Sequence, residues 1–286
     1  LTQEVDGVIY YFIDNEYYFA GDRIYGDWYW DLEKFCFFCY AALSALPVIG
    51  FRPDLIHCHD WQTGLIPVLL KDRFAGGEFF RGIKTVMTIH NLKFQGKWNV
   101  RDVEDITGLS GYYFTPDKLE AYKDANLLKG GLVYADAITT VSPTYAEEIK
   151  TQFYGEGLDG LMIARAHDLR GIINGIDYTD FSPDNDKKIP QPYTVDEKCF
   201  MIGIVSRLTD QKGFDLIAYV LEEILSLDAI QMVVLGTGEE RYENMFRYFD
   251  WKYNDKISAN IYYSDELSHK IYASSDAFLM PSLFEP

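Results

Sequence analysis

Short runs of strand-forming residues alternate with helical runs along the whole chain, and this alternation restricts the fold more than any other feature. Apolar and β-branched runs predict strands at residues 8–13, 55–59, 85–90, 137–141, 171–173, 200–205, 232–235, 260–263 and 277–280. Helical spacing of apolar residues predicts helices at about 30–46, 64–74, 127–134, 143–153, 213–225, 239–253 and 265–274. This order is typical of α/β domains with mainly parallel sheets.

A segment rich in proline, glycine and charge, at about 174–198, interrupts the alternation, because such a sequence sustains neither helix nor strand. The 286 residues suffice for two domains that each bury a core. We therefore predict two Rossmann-like domains, residues 1–180 and 181–286, that face each other across a cleft. The chain begins at Leu1 rather than at a methionine and stops in a loop after a strand, so both domains are expected to be incomplete.

The formal net charge is −18, which argues against nucleic acid or an anionic membrane as a general partner. An anionic ligand would need a local group of cations. No apolar run has the roughly 18 residues of a membrane helix, and no signal-peptide pattern is present, so we expect a cytoplasmic protein. Cys36 and Cys39 form a C-x-x-C inside an apolar helical run without a second pair, which predicts core packing rather than a zinc site.

Arg207 and Lys212 lie in the turn between the strand predicted at 200–205 and the helix that follows it. Two cations beside the free N–H groups of a helix N-terminus can bind a phosphorylated anion. The alternative is a pair of solvated surface charges. Gly236 and Thr237 lie in a second strand-to-helix turn, which either lets the backbone approach a phosphate or is a tight turn without a ligand.

Polar residues also follow most of the other predicted strands. They are His57, His59 and Asp60, His90 and Asn91, Ser142, Asn174, Tyr263 and Glu285. Because ligands bind at the carboxyl edge of open parallel sheets, these residues are expected to line the cleft.

Three of these residues also have a structural interpretation. Asp60 could cap the helix that follows it, His90 could be a structural histidine, and Tyr263 could be a core residue rather than a ring on which a base stacks. His57 and His59 are expected to point to opposite faces of their strand and so not to share a metal ion.

Several long motifs, in order along nearly the whole chain, resemble those of bacterial glycogen synthases and plant starch synthases. They are HCHDWQTG at 57–64, TIHNL at 88–92 with FQG at 94–96, YAD at 134–136, TVSPTY at 140–145, YGEGLDG at 154–160, GIINGID at 171–177, and the loops at 207–213 and 281–286.

The resemblance implies a glycosyltransferase of the two-Rossmann-domain (GT-B) type. Such an enzyme transfers glucose from ADP-glucose to the non-reducing end of an α-1,4-glucan, with retention of configuration and without a required metal or other cofactor. Arg207 and Lys212 match the phosphate-binding pair of the family, and fixed cations would stabilise the departing diphosphate. Glu285 matches the first glutamate of the E-x7-E motif, which is associated with the donor sugar and the catalytic centre.

The resemblance also implies roles for residues in other loops. Asp60 matches an aspartate on the acceptor and sugar side, and His90 a histidine that contacts the transferred glucose. The other matches are Asn174 near the sugar, Gly236 and Thr237 near the nucleotide, and Tyr263 at the adenine position.

Three departures from the family pattern bear on activity. The N-terminal Lys-x-Gly-Gly-Leu loop and the second glutamate of E-x7-E are missing, and the linker between Ile189 and Phe200 is shorter than usual. The chain is therefore expected to be a truncated synthase. Two alternatives stay open, namely a non-catalytic nucleotide- or glucan-binding module and a GT-B enzyme that uses a UDP-sugar.

Overall fold

The computed structural model describes residues 1–21, 24–182, 186–189, 199–227 and 229–285. The described chain divides into two compact units, Leu1–Asn174 and Gly175–Glu285. Residues 183–185 and 190–198 of the predicted linker lie outside the described residues. The domain division at residues 180 and 181 stays a prediction.

The first unit contains strands and helices in alternation. Its elements are β1 (Thr2–Val5), β2 (Val8–Tyr11), α1 (Glu16–Phe19), α2 (Trp28–Val48), β3 (Leu55–His59), α3 (Leu65–Leu69), β4 (Lys84–Ile89), β5 (Lys97–Asn99), α4 (Val100–Thr107), β6 (Glu120–Ala121), β7 (Asp124–Asn126), α5 (Leu127–Tyr134), β8 (Ala137–Thr140), α6 (Pro143–Glu148), α7 (Asp159–Ala164) and β9 (Leu169–Gly171).

A parallel sheet of order β3-β4-β8-β9 forms the centre of the first unit. Side-chain caps start the helices around it: Asn126 accepts a hydrogen bond from Lys129 N in α5, and Ser142 accepts one from Tyr145 N in α6. The core between sheet and helices is apolar and includes Cys36 and Cys39, both about 1% exposed. The prediction of core packing for this C-x-x-C is confirmed.

The second unit contains β10 (Phe200–Val205), α8 (Phe214–Ser226), β11 (Ile230–Leu235), α9 (Glu240–Lys252), β12 (Ile257–Asn260), α10 (Asp265–Ser274) and β13 (Ala277–Phe278). Its strands form a parallel sheet of order β12-β11-β10-β13. Phe214 and Phe246, from α8 and α9, are fully buried and pack edge to face on each other. The α/β class with parallel sheets is confirmed in both units.

The regular elements agree with the sequence prediction where the local pattern is strong, and the bounds of β3, β10, α5 and α10 are those predicted. The predicted strand at 260–263 is wrong, since β12 ends at Asn260. Ile257 pairs with Met232 of β11 and is buried, whereas Tyr262 and Tyr263 lie exposed beyond the sheet. Tertiary pairing outweighed the β-propensity of the aromatic run.

Other predicted elements also change at their limits. The strand at 171–173 is displaced to Leu169–Gly171, and the helix at 143–153 ends at Glu148. The helix at 64–74 divides into α3 and a π-helical turn, Leu70–Phe74. The strand at 8–13 is the second strand of an exposed antiparallel hairpin, β1–β2, rather than part of a parallel sheet. In the part of the chain that the structure describes, no helix combines the length and apolar character needed to cross a membrane.

Candidate active site

Lys212 and Glu285 form an ion pair at the carboxyl end of β10. Arg207 follows the strand, Lys212 ends the 3-10 turn Asp210–Lys212, and α8 begins at Phe214. The Lys212 Nζ lies 2.5 Å from Glu285 Oε1, with the lysine side chain 15% and the glutamate side chain 41% exposed. Ser282 Oγ donates a hydrogen bond to the same carboxylate oxygen. The turn and the C-terminal loop, distant in sequence, therefore form one charged group.

Gly213 allows this close approach. Its φ of +72° lies in the left-handed region, and a Cβ at this position would lie 2.0 Å from the carbonyl oxygen of Pro281. Beside it, Leu283 N donates to Gln211 O at 2.9 Å. Only glycine combines this backbone conformation with such a close contact.

Arg207 lies on the same turn and is exposed. Its guanidinium makes no ion pair with any residue that the structure describes. The turn thus presents one paired and one unpaired cation, in a protein whose net charge is −18. A local positive group in an acidic protein favours a small anionic ligand over an extended polyanion.

The turn at Gly236 braces the Arg207 loop. A Cβ at Gly236 would lie 1.9 Å from Ser206 O. Leu208 N donates to Thr237 O at 2.9 Å, and Glu239 N donates to Leu208 O at 2.7 Å. The glycine is therefore required where two backbones meet, and whether Gly236 and Thr237 also contact a nucleotide stays a prediction.

Two other predicted site residues lie on the surface of their units. Tyr263 is 86% exposed, so the interpretation of this ring as a core residue is wrong. Asn174 is exposed at the end of the first unit. Both side chains are accessible to a ligand, and their roles stay predictions.

Asp60 and His90 are joined in the first unit. Asp60 has φ 54° and ψ −173°, a conformation that is nearly restricted to glycine, and its side chain makes no capping hydrogen bond. Its Oδ1 instead accepts a hydrogen bond from the backbone N of His90 at 2.8 Å. The helix-cap interpretation of Asp60 is therefore wrong. Backbone strain of this kind is concentrated at functional sites.

His57, His59 and His90 form a cluster of rings at the ends of β3 and β4. The expectation that His57 and His59 point to opposite faces is wrong, because residues two apart on a strand share a face, and their ring centroids lie 4.2 Å apart. His59 Nδ1 and His90 Nε2 lie 2.9 Å apart and share a hydrogen bond. Burial, followed by the neighbouring charges of His57 and His90, lowers the pKa of His59 below its ordinary value.

Sequence reasoning placed His57 and His59 at the cleft edge but gave neither a role, and His59 is the one of the two that contacts His90. The period-two alternation of His57 and His59, together with His90 after the adjacent strand, was the signal that could have identified it. Despite the rings, no three His, Cys, Asp or Glu side chains are placed to hold a metal ion within the described ranges.

Two parallel α/β units with charged and polar loops at the carboxyl ends of their strands define a glycosyltransferase fold of the GT-B type. The sequence model of the protein family described as the starch synthase catalytic domain matches residues 1–164 of this chain. The chain belongs to this family.

Curated relatives and a solved structure extend the similarity over the whole chain. The glycogen synthase of Lachnospira eligens is 64% identical over 99% of this chain and 64% of its own length, and that of Lachnoclostridium phytofermentans is 58% identical over 100% and 64%. The catalytic domain of starch synthase IV from Arabidopsis thaliana, bound to ADP and acarbose, matches with a TM-score of 0.90 at 29% identity, over 100% of this chain and 64% of that one. The chain thus spans 64% of the length of these relatives.

Proposed function

We propose that the protein transfers glucose from ADP-glucose to the non-reducing end of an α-1,4-glucan with retention of configuration. The observation that carries the proposal is the Arg207, Lys212 and Glu285 group at the end of β10. The family membership, the relatives named glycogen synthase, and the ADP and acarbose bound to the Arabidopsis starch synthase support it.

The charged turn suits the departure of a nucleoside diphosphate. As the bond from glucose to the diphosphate breaks, negative charge grows on the leaving oxygen, and fixed cations stabilise it most when they are already in position. The Lys212 side chain is mostly buried and is held by Glu285, so its ammonium group is preorganised. Arg207 presents a planar guanidinium that can bind two phosphate oxygens at once.

Glu285 has a supporting rather than a nucleophilic role in this proposal. Its Oε1 is occupied by Lys212 Nζ and Ser282 Oγ, which lowers its reactivity toward a sugar carbon. A carboxylate held beside the donor can stabilise the positive charge of an oxocarbenium-like transition state and can orient Lys212.

The first unit supplies the sugar side. Asp60 and His90, joined by the hydrogen bond from His90 N to Asp60 Oδ1, are proposed to contact the acceptor and the transferred glucose. Asn174 is proposed to lie near the sugar, Gly236 and Thr237 near the nucleotide, and Tyr263 against the adenine ring. The exposure of Tyr263 leaves its face free for stacking.

Calorimetric titration with ADP, ADP-glucose and UDP-glucose, combined with elongation of a glucan primer, tests the proposal. We expect ADP to bind and ADP-glucose to bind more tightly than UDP-glucose. Elongation from ADP-glucose would establish the activity. Nucleotide binding without elongation would favour the non-catalytic module, and preference for UDP-glucose would favour a different GT-B enzyme.

Replacement of Lys212 by alanine removes the ammonium and leaves the fold in place, since Lys212 is not part of the core. A charge-assisted hydrogen bond contributes about 1.5–3 kcal/mol, so ADP affinity should fall roughly 10- to 100-fold. Lys270→Ala is the matched control, because Lys270 forms a surface ion pair with Glu266 in the same unit, at 2.6 Å. Equal ADP affinity in the two variants would remove Lys212 from its proposed role.

A further inference from the structure

We propose that His59 is a positioning residue for His90. The Nδ1 of His59 holds the imidazole of His90 at Nε2, which leaves the Nδ1 of His90 to face the sugar. This inference rests on the proposed function, because it assigns the geometry of a residue proposed to contact the transferred glucose.

The contact follows from the pairing of two neighbouring strands. His59 is paired in register with Thr88 across β3 and β4, so the chain that continues past Thr88 brings His90 beside His59. His59 Nδ1 and His90 Nε2 lie 2.9 Å apart, with ring centroids 5.2 Å apart and planes inclined by 39°. This distance is that of a hydrogen bond, so one of the two nitrogens carries the proton and the other accepts it.

Adjacent residues hold His90 at two points. Asp60 Oδ1 accepts a hydrogen bond from the backbone N–H of His90 at 2.8 Å, and His59 Nδ1 contacts the Nε2 of the His90 ring. The first contact fixes the position of the main chain, and the second fixes the rotation of the ring. A ring held in this way occupies one tautomer, because the nitrogen facing His59 must complement the state of His59 Nδ1.

One nitrogen of His90 is left for a ligand. His90 Nδ1 makes no hydrogen bond with any residue in the described part of the chain, and the side chain is half-buried. A nitrogen that is fixed in direction and lacks a protein partner is suited to a hydroxyl of the sugar, which can both donate and accept.

His59 is itself held on several sides. Its backbone N donates to Thr63 Oγ1 at 2.7 Å, and the same hydroxyl donates to His59 O. The ring of His57 packs against its ring, and His57 Nε2 is hydrogen-bonded to Thr88 Oγ1 at 2.6 Å. Positioning groups need such support in order to orient another side chain.

The protonation state of His59 agrees with this role. Two imidazolium rings at 2.9 Å would place two N–H groups against each other, so the contact requires that at least one ring is neutral. The groups that face His59 are His57, His90 and Asp60; burial is the largest influence and, with the two other histidines, lowers its pKa, whereas Asp60 raises it. The lowered pKa favours the neutral form of His59, which the contact with His90 can accommodate.

The test compares the ring nitrogens of His90 by NMR in the 15N-labelled chain and in three variants. His59→Ala removes the partner, whereas His59→Asn places an amide close to the position of Nδ1 and can restore the hydrogen bond. His167→Asn is the control, since His167 is an exposed histidine of the same unit with a side chain 75% exposed.

We expect one tautomer of His90 in the unchanged chain, in His59→Asn and in His167→Asn, and an exchanging mixture in His59→Ala. A single, unchanged tautomer in His59→Ala would overturn the inference. The same variants are then assayed for elongation, where His59→Ala should lower kcat by roughly 10- to 100-fold without weakening ADP binding, and His59→Asn should recover most of it. An equal loss in the alanine and asparagine variants would also contradict the role.

The two proposals fail in different ways. If the unchanged chain binds ADP-glucose but elongates no primer, the proposed function fails, while the ring-nitrogen spectra still decide whether His59 holds His90. If elongation proceeds and His59→Ala leaves both the spectra and kcat unchanged, only the role of His59 fails.

Discussion

Replacement of Gly213 by alanine should disrupt the Lys212–Glu285 pair without touching either charge. The added Cβ would lie 2.0 Å from Pro281 O, and Cβ atoms do not approach a neighbour closer than about 3.0 Å. The Pro281 carbonyl must therefore move by about 1 Å, and Glu285 moves with the loop that carries it. A shift of this size at a site can cost about 100-fold in activity.

The free-energy cost has two parts that a matched variant separates. Alanine in the left-handed region costs about 1–2 kcal/mol relative to glycine, and overpacking costs a further 1–3 kcal/mol or so. Gly50 has φ +68° and no atom within 4 Å of its added Cβ, so Gly50→Ala carries the first cost alone. We expect a loss of about 1–2 kcal/mol for Gly50→Ala and about 2–5 kcal/mol for Gly213→Ala.

Hydrogen exchange of α8 amides, measured by mass spectrometry, reports the second unit separately from the first. Gly213→Ala should accelerate exchange in α8 and weaken ADP binding by more than about 10-fold, whereas Gly50→Ala should leave both unchanged. Unchanged protection of α8 and unchanged ADP affinity in Gly213→Ala would refute the assignment of Gly213 as the residue that admits the Pro281 loop.

Three further predictions concern the first unit and the thiols. A thiol reagent at pH 8 should modify half-buried Cys199 in the native protein and should reach Cys36 and Cys58 only after unfolding, because burial raises the pKa of both thiols to about 12. Rapid labelling of four thiols in the native chain would contradict their burial. Asp60→Gly and Asp60→Ala both lose the hydrogen bond from His90 N and should lose elongation, but only glycine relieves a backbone conformation that costs about 1–3 kcal/mol. The glycine variant should therefore have the higher thermal midpoint, and an equal or lower midpoint than that of Asp60→Ala would count against strain at Asp60. Because the pKa of His59 is lowered, the unfolded chain binds more protons just below pH 6.5, and stability should decline as the pH falls through that value; urea titrations at several pH values should show a smaller decline in His59→Asn.

Local patterns sufficed for the elements in which a strong periodicity coincides with clear start and stop signals. Helix α10, predicted at its observed bounds, begins after Ser264, which accepts a hydrogen bond from Leu267 N. Strand β10 is a short apolar run between polar segments. The small antiparallel sheet of β5, β6 and β7 was not predicted, because strands of two or three residues carry too little periodicity to detect.

The candidate site was predictable in its residue types and their places on the strands, but not in its contacts. Arg207 and Lys212 lie in the turn after β10 as expected, because strand, turn and helix signals all act over a few residues. The sequence did not indicate that Lys212 pairs with Glu285, which lies 73 residues later. For Asp60 it left a helix cap open as one interpretation, and it did not indicate the hydrogen bond that the Asp60 side chain accepts from the backbone N of His90.

The sequence by itself determined the α/β class, the turns that carry the charged residues, and the ordered motifs of the starch synthase catalytic domain family, because each depends on a short stretch of chain. Only the tertiary structure decided that His59 faces His90, that Asp60 binds the backbone of His90, and that the Pro281 carbonyl rests on Gly213. The physical reason is that these contacts depend on which strands pair and in what register. That choice is made by the burial of side chains from the whole unit and not by any one segment.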